Sequence, residues 1–128
     1  VAADLPPVAC IALKLRATPK HNPSYALLLT LSAAGTTKPV EKTFELINVG
    51  TEEVTVSTVS LESSGQFAWH DGDKQWQGPG PYPVNIAVGP GVAKAIYVQW
   101  SPAAAELAAL KLTAKGCSPL QADLKGQP

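Results

Sequence analysis

The sequence is short of almost everything that marks a catalytic or nucleic-acid-binding chain. It has no methionine and only two cysteines in 128 residues, Cys10 and Cys117. These lie near opposite ends and lack the clustered Cys/His spacing of a zinc site. It has no excess charge: Lys+Arg 10 against Asp+Glu 10 gives a formal net charge of +0. With no basic run, there is no electrostatic footprint for nucleic acid or an anionic membrane. It has no long apolar run. Its apolar runs, Val8 to Leu13 the longest and Ala26 to Leu29 among them, fall far short of the ~20 residues that cross a bilayer as a helix. The missing methionine, with Val1 in first place, leads to the expectation of a processed or excised product with any signal peptide already gone.

Catalytic signatures are also missing. No serine sits in a nucleophile elbow and no cysteine neighbours a histidine. Glu52-Glu53 lies in a turn region and reads as a solvated end rather than an acid/base pair. Asp71-Gly72-Asp73 resembles the start of a calcium loop without the distal glutamate, and a plain turn explains it. His70 and His21 are too far apart in sequence to form a ligand pair. The expectation is therefore no enzyme, no cofactor and no metal.

What is present is period-two alternation between turn signals. The organising stretch is Val92 to Pro102. Val92, Ile96, Val98 and Trp100 fall on one side, with Lys94 and Gln99 as mild interruptions. Such a pattern, rich in β-branched and aromatic residues, predicts a half-buried strand. Gly89-Pro90-Gly91 opens it and Ser101-Pro102 closes it, since proline cannot donate to a ladder. Similar alternation predicts strands over Cys10 to Ala17, Tyr25 to Ala33, Glu41 to Val49, Glu53 to Leu61, Phe67 to Trp69, Val84 to Val88 and Leu120 to Lys125.

Four details carry specific expectations. Leu28 opposes the phase of Leu27, Leu29 and Leu31, which implies that both strand faces are partly covered or that an edge is packed. Asn48-Val49-Gly50-Thr51 suggests a tight hairpin. Val54 and Val56 are out of phase with Val59 and Leu61, so a bulge is expected near Ser57-Thr58. Ser101 to Leu112 reads as at most one helical turn at Ala103 to Glu106, then a strand. Ser63 to Gly65 reads as a turn and Gly126 to Pro128 as a linker stub.

The sum is an all-β chain: an antiparallel immunoglobulin-like β-sandwich of about 7–9 strands. Residues 1–24 form an N-terminal tail and extra strand, and residues 25–126 the sandwich domain. At 128 residues and 45% hydrophobic content, one domain with a real core is expected. Cys10 and Cys117 are read as a disulfide joining the ends, worth about 4–5 kcal/mol on the chain-entropy model. The alternative is two buried free thiols, which pack as small hydrophobes.

The ordered pieces resemble a family. Phe44-Glu45-Leu46-Ile47-Asn48-Val49-Gly50 is similar to its F-x-L-x-N-x-G opening, and Val59-Ser60-Leu61 with Ser64-Gly65-Gln66-Phe67 to its next hairpin. Val88-Gly89-Pro90-Gly91 resembles its L-x-P-G turn. Val98-Gln99-Trp100-Ser101-Pro102 resembles V-x-F-x-P with tryptophan for phenylalanine. Gly116-Cys117-Ser118-Pro119-Leu120 with Leu124-Lys125-Gly126 resembles its closing segment. This is the Hydin-type (ASH) immunoglobulin-like domain, related to the major sperm protein and PapD. The resemblance spans roughly Tyr25 to Gly126. It implies a sandwich used as scaffold or adhesive module, with no catalytic residues to carry over. Neither the Cys10 strand nor the long His70 to Pro83 stretch belongs to the family pattern.

Candidate sites follow. Trp69 and Trp100 occupy apolar strand phases and read as core. Trp76 and Tyr82, with His70 beside them, lie in the irregular stretch and are candidates for stacking on a protein partner or a glycan. The competing reading is a loop that folds back over its own tryptophan. Cys10 to Ala17 either pairs within the chain or exchanges with a neighbour's sheet edge. The functional expectation is a protein-contact module or spacer of an exported or cell-surface protein, the alternative setting being a cytoplasmic or ciliary scaffold. A protein partner is expected and a glycan is possible, with no nucleic acid and no membrane insertion.

Overall fold

A computed structural model describes residues 13–17, 22–24, 26–62, 66–72, 75–78, 80–114 and 120–128. Expectations at Cys10, Cys117, His21, Asp73, Ser63 to Gly65 and the N-terminal tail fall outside the described residues.

Alternation in the sequence becomes alternation in burial. Nine strands follow in chain order: β1 (Leu13–Arg16), β2 (Ala26–Ser32), β3 (Val40–Asn48), β4 (Val54–Glu62), β5 (Phe67–His70), β6 (Tyr82–Val88), β7 (Ala93–Trp100), β8 (Glu106–Ala114) and β9 (Leu120–Gln127). One sheet has the order β1-β3-β7-β5 and the other β2-β9-β8-β4-β6. The molecule is an all-β sandwich. All pairings are antiparallel except β2 with β9, which run parallel in register from Ala26↔Gln121 to Ser32↔Gln127.

The inward phases meet in one core that includes Leu15, Leu31, Phe44, Leu46, Ile96, Val98, Trp100, Leu110 and Leu124. Each such side chain contributes about 1.5–3 kcal/mol on burial. β7 lies inside its sheet between β3 and β5. Its Ile96, Val98 and Trp100 are buried, but Val92 lies before the strand and is exposed. β1 joins the same core through Leu13 and Leu15 and pairs with β3 of its own chain. Across that pair the Arg16 guanidinium donates twice to Glu45 Oε1, at 3.1 and 3.2 Å.

The expected bulge occurs: the register of β4 shifts between Val56 and Thr58 against both β6 and β8. Four other expectations are corrected. Leu28 is 63% exposed, because β2 is an edge strand whose outer face is uncovered. Asn48 to Thr51 forms no hairpin, since β3 and β4 belong to different sheets. Asn48 is instead a buried corner post. Its Nδ2 donates to Glu52 O at 2.6 Å and Val88 O at 2.8 Å, and its Oδ1 accepts from the Gly50 N–H at 2.9 Å. No helical turn forms at Ala103 to Glu106. Glu106 starts β8, where it pairs with Gly126 and accepts the Trp100 indole N–H at 3.0 Å. Nor is Gly126 a linker stub: β9 runs through it to Gln127. A Cβ on Gly126 would overlap the Trp100 indole, so only glycine lets β9 pass over that ring.

Candidate functional site

The irregular stretch gathers at one edge of the sandwich, where β5 ends and β6 begins. β5 stops for a local reason. The Gly72 N–H donates to His70 Nδ1 at 2.9 Å, and Gly72 adopts φ 110, a conformation open to glycine. The chain turns away and comes back beside β5, where Gln77 and Trp69 exchange main-chain hydrogen bonds of 2.7 and 3.0 Å.

Rings cluster around this turn. His70 is buried, 8% exposed, and stacks on Tyr97 with centroids 4.5 Å apart and planes at 14°. Trp76 meets its edge at 4.4 Å and 74°. Trp69 and Tyr82 make an edge contact at 6.2 Å. Beside them opens a cleft of about 230 Å³ lined by Trp69, His70, Asp71, Gln77, Tyr82 and Asn85, among others. The Trp69 indole N–H is buried and has no hydrogen-bond acceptor among the described residues. Unmet donors of this kind are uncommon, because each carries a desolvation penalty of about 1–3 kcal/mol.

A second groove of about 350 Å³ continues along the same edge. It shares Asp71 and Asn85 with the cleft and extends to Ile86, Ala87, Lys94, Ala95 and Ile96. Together the two form a seam along β6, which faces β5 at the cleft and β7 at the groove.

Of the sequence candidates, His70 and Tyr82 line the cleft. Trp76 does not: half-buried, it packs on His70. Trp69, Gln77 and Asn85 were not anticipated as lining. Trp69 carried a core signal, and it is core on one side and cleft wall on the other. Gln77 and Asn85 arrive through chain reversal and sheet pairing, which leave no local pattern. The described lining of the cleft offers ring faces and hydrogen-bonding groups, the Tyr82 phenol among them. No group of three or more His, Cys, Asp or Glu residues is placed to hold a metal among the described residues.

Comparison of the sequence with protein-family models and with curated proteins finds no match. Solved structures do match in fold. The PapD-like domain 7 of human CEP192, an ASH / PapD-like domain, superposes with TM-score 0.54 at 14% identity, covering 99% of this chain and 92% of that one. SSP-19 of Caenorhabditis elegans, an MSP-domain protein like family member, gives TM-score 0.55 at 12% identity, over 81% of this chain and 95% of that one. The N-terminal domain of PorA gives TM-score 0.51 at 13% identity, over 89% and 96%. The fold is that of the ASH, MSP and PapD-like sandwiches.

Proposed function

We propose that this chain is a non-enzymatic immunoglobulin-like module that works by protein–protein contact within an exported or cell-surface protein. The observation that carries this reading is the outer face of the five-stranded sheet. Leu28 on β2 is 63% exposed and Leu107 on β8 is 76% exposed, and the two flank β9. Both side chains stand on the same solvent face, one strand apart, and supply the apolar part of a contact surface. Asp123, opposite Leu28, and Lys125, opposite Leu107, give the patch a polar middle with both signs of charge, as contact surfaces with specific partners have. The exported setting draws support from the two cysteines, Cys10 and Cys117, whose pairing would suit an oxidising compartment.

A glycan partner is less well served. Stacking on a sugar needs a free aromatic face, and Trp76 is engaged with His70. The contact reading is tested by placing a photoreactive amino acid at Leu107 in the parent protein in its native cell. Covalent adducts with another protein, above those from the same group at exposed Thr43 on the opposite sheet, are expected. Equal labelling at both positions contradicts it.

A further inference from the structure

We infer that the seam between β6 and the uncovered end of β7 receives an extended polypeptide segment, acidic at one position, which adds as a strand beside β7. The inference rests on the protein-contact reading and adds to it a second surface, distinct from the Leu28 and Leu107 face, with a stated partner chemistry.

The seam exists because β5 is half the length of the strand it pairs with. β5 faces β7 only from Phe67↔Trp100 to His70↔Tyr97, while β7 continues back to Ala93. The Ser101 N–H donates to Gln66 O at 2.9 Å, which sets the phase of that ladder. In an antiparallel ladder every second residue turns its N–H and C=O to the same neighbour. Gln99 and Tyr97 therefore point at β5, and Ala95 and Ala93 point the same way with no described strand opposite them. The turn at His70 and Gly72 leads the chain off this line, and it returns on the far side of β5 at Gln77.

The facing wall is open in the same sense. Among the described strands β6 is the last of its sheet, with β4 as its neighbour. Val88 O accepts from Asn48 Nδ2 at 2.8 Å, which ties the end of β6 to β3. The uncovered end of β7 thus offers main-chain groups at Ala93 and Ala95 along a groove of about 350 Å³ whose other wall is β6. Only another main chain in extended form matches a row of alternating donors and acceptors.

Charge selects the segment. Lys94 shares the phase of Ile96, Val98 and Trp100, yet it is exposed at the groove mouth and has no ion-pair partner among the described residues. A lysine in the inward phase of an open edge blocks indiscriminate pairing. A partner that presents a carboxylate opposite Lys94 converts the block into a contact. The partner's side chains nearest Ile86 and Ile96, which line the same groove, are apolar. Asp71 at the other end of the groove disfavours a carboxylate there and so sets the segment's direction.

The test is selection of nine-residue displayed peptides on the folded protein, followed by titration of synthetic winners. Expected winners carry Asp or Glu, lose at least ~10-fold in affinity against Lys94→Glu, and regain it when their acid is changed to Lys. N-methylation of every second peptide amide should abolish binding, and the intervening positions should tolerate it. Lys94 is exposed, so its replacement leaves the fold intact, and the N-methyl scan needs no protein variant at all. Winners indifferent to Lys94→Glu but lost against Leu107→Glu overturn the seam while leaving the contact reading in place. Failure to select any peptide above background also overturns the seam. Absence of a Leu107 photoadduct overturns the contact reading separately.

Discussion

The two tryptophans of the core, Trp69 and Trp100, sit in neighbouring strands of one sheet and are both almost fully buried. Their surroundings differ. Trp100 stacks on Phe67 at 6.1 Å, gives its N–H to Glu106 and is roofed by Gly126. Trp69 leaves its N–H without an acceptor among the described residues and forms a wall of an open cleft. The first environment is what a core does when stability is its whole task. The second keeps an unmet donor and an incomplete ladder within a few residues of each other, a cost that selection tolerates where a surface is used.

The comparison breaks or sharpens through substitution. Gly126→Ala forces a methyl group into the Trp100 ring and should destabilise by about 3 kcal/mol, at the upper end of the usual overpacking penalty. Urea unfolding reads it, and a loss under ~0.5 kcal/mol would refute the close-packed end. Asn48→Ala strands two main-chain carbonyls and one N–H at the corner between the sheets and should cost about 2–3 kcal/mol. Trp100→Phe should cost about 2 kcal/mol, because ring volume is lost together with the indole N–H···Glu106 hydrogen bond. Trp69→Phe should move stability by less than ~1 kcal/mol, since removing an unpaired buried N–H offsets the lost volume. If the two Trp→Phe changes cost the same, the contrast between the two ends is wrong.

Much of the sandwich was legible because alternation is a local signal. Ile96, Val98 and Trp100 were assigned inward and are buried, and the phase slip after Val56 located the bulge. What was missed is non-local. Asn48 and Gly50 look the same whether the chain turns back on itself or crosses to the other sheet. Ala103 to Glu106 carries helix-forming residues, but Glu106 is held by Trp100 and Gly126, which lie outside any local window. The parallel pairing of β2 with β9 joins segments nearly a chain length apart. At the candidate site, His70 and Tyr82 were visible as unusual residues in an unusual stretch. The cleft itself was not, since Trp69 carries the same apolar-phase signature as Trp100.

Amide hydrogen exchange along β7, followed residue by residue by NMR, tests the open seam most directly. In the free protein Lys94, Ile96 and Val98 should be protected by β3, and Tyr97 and Gln99 by β5, while Ala95 exchanges rapidly between protected neighbours. An Ala95 amide as slow as those of Tyr97 and Gln99 would mean that the edge of β7 is already covered.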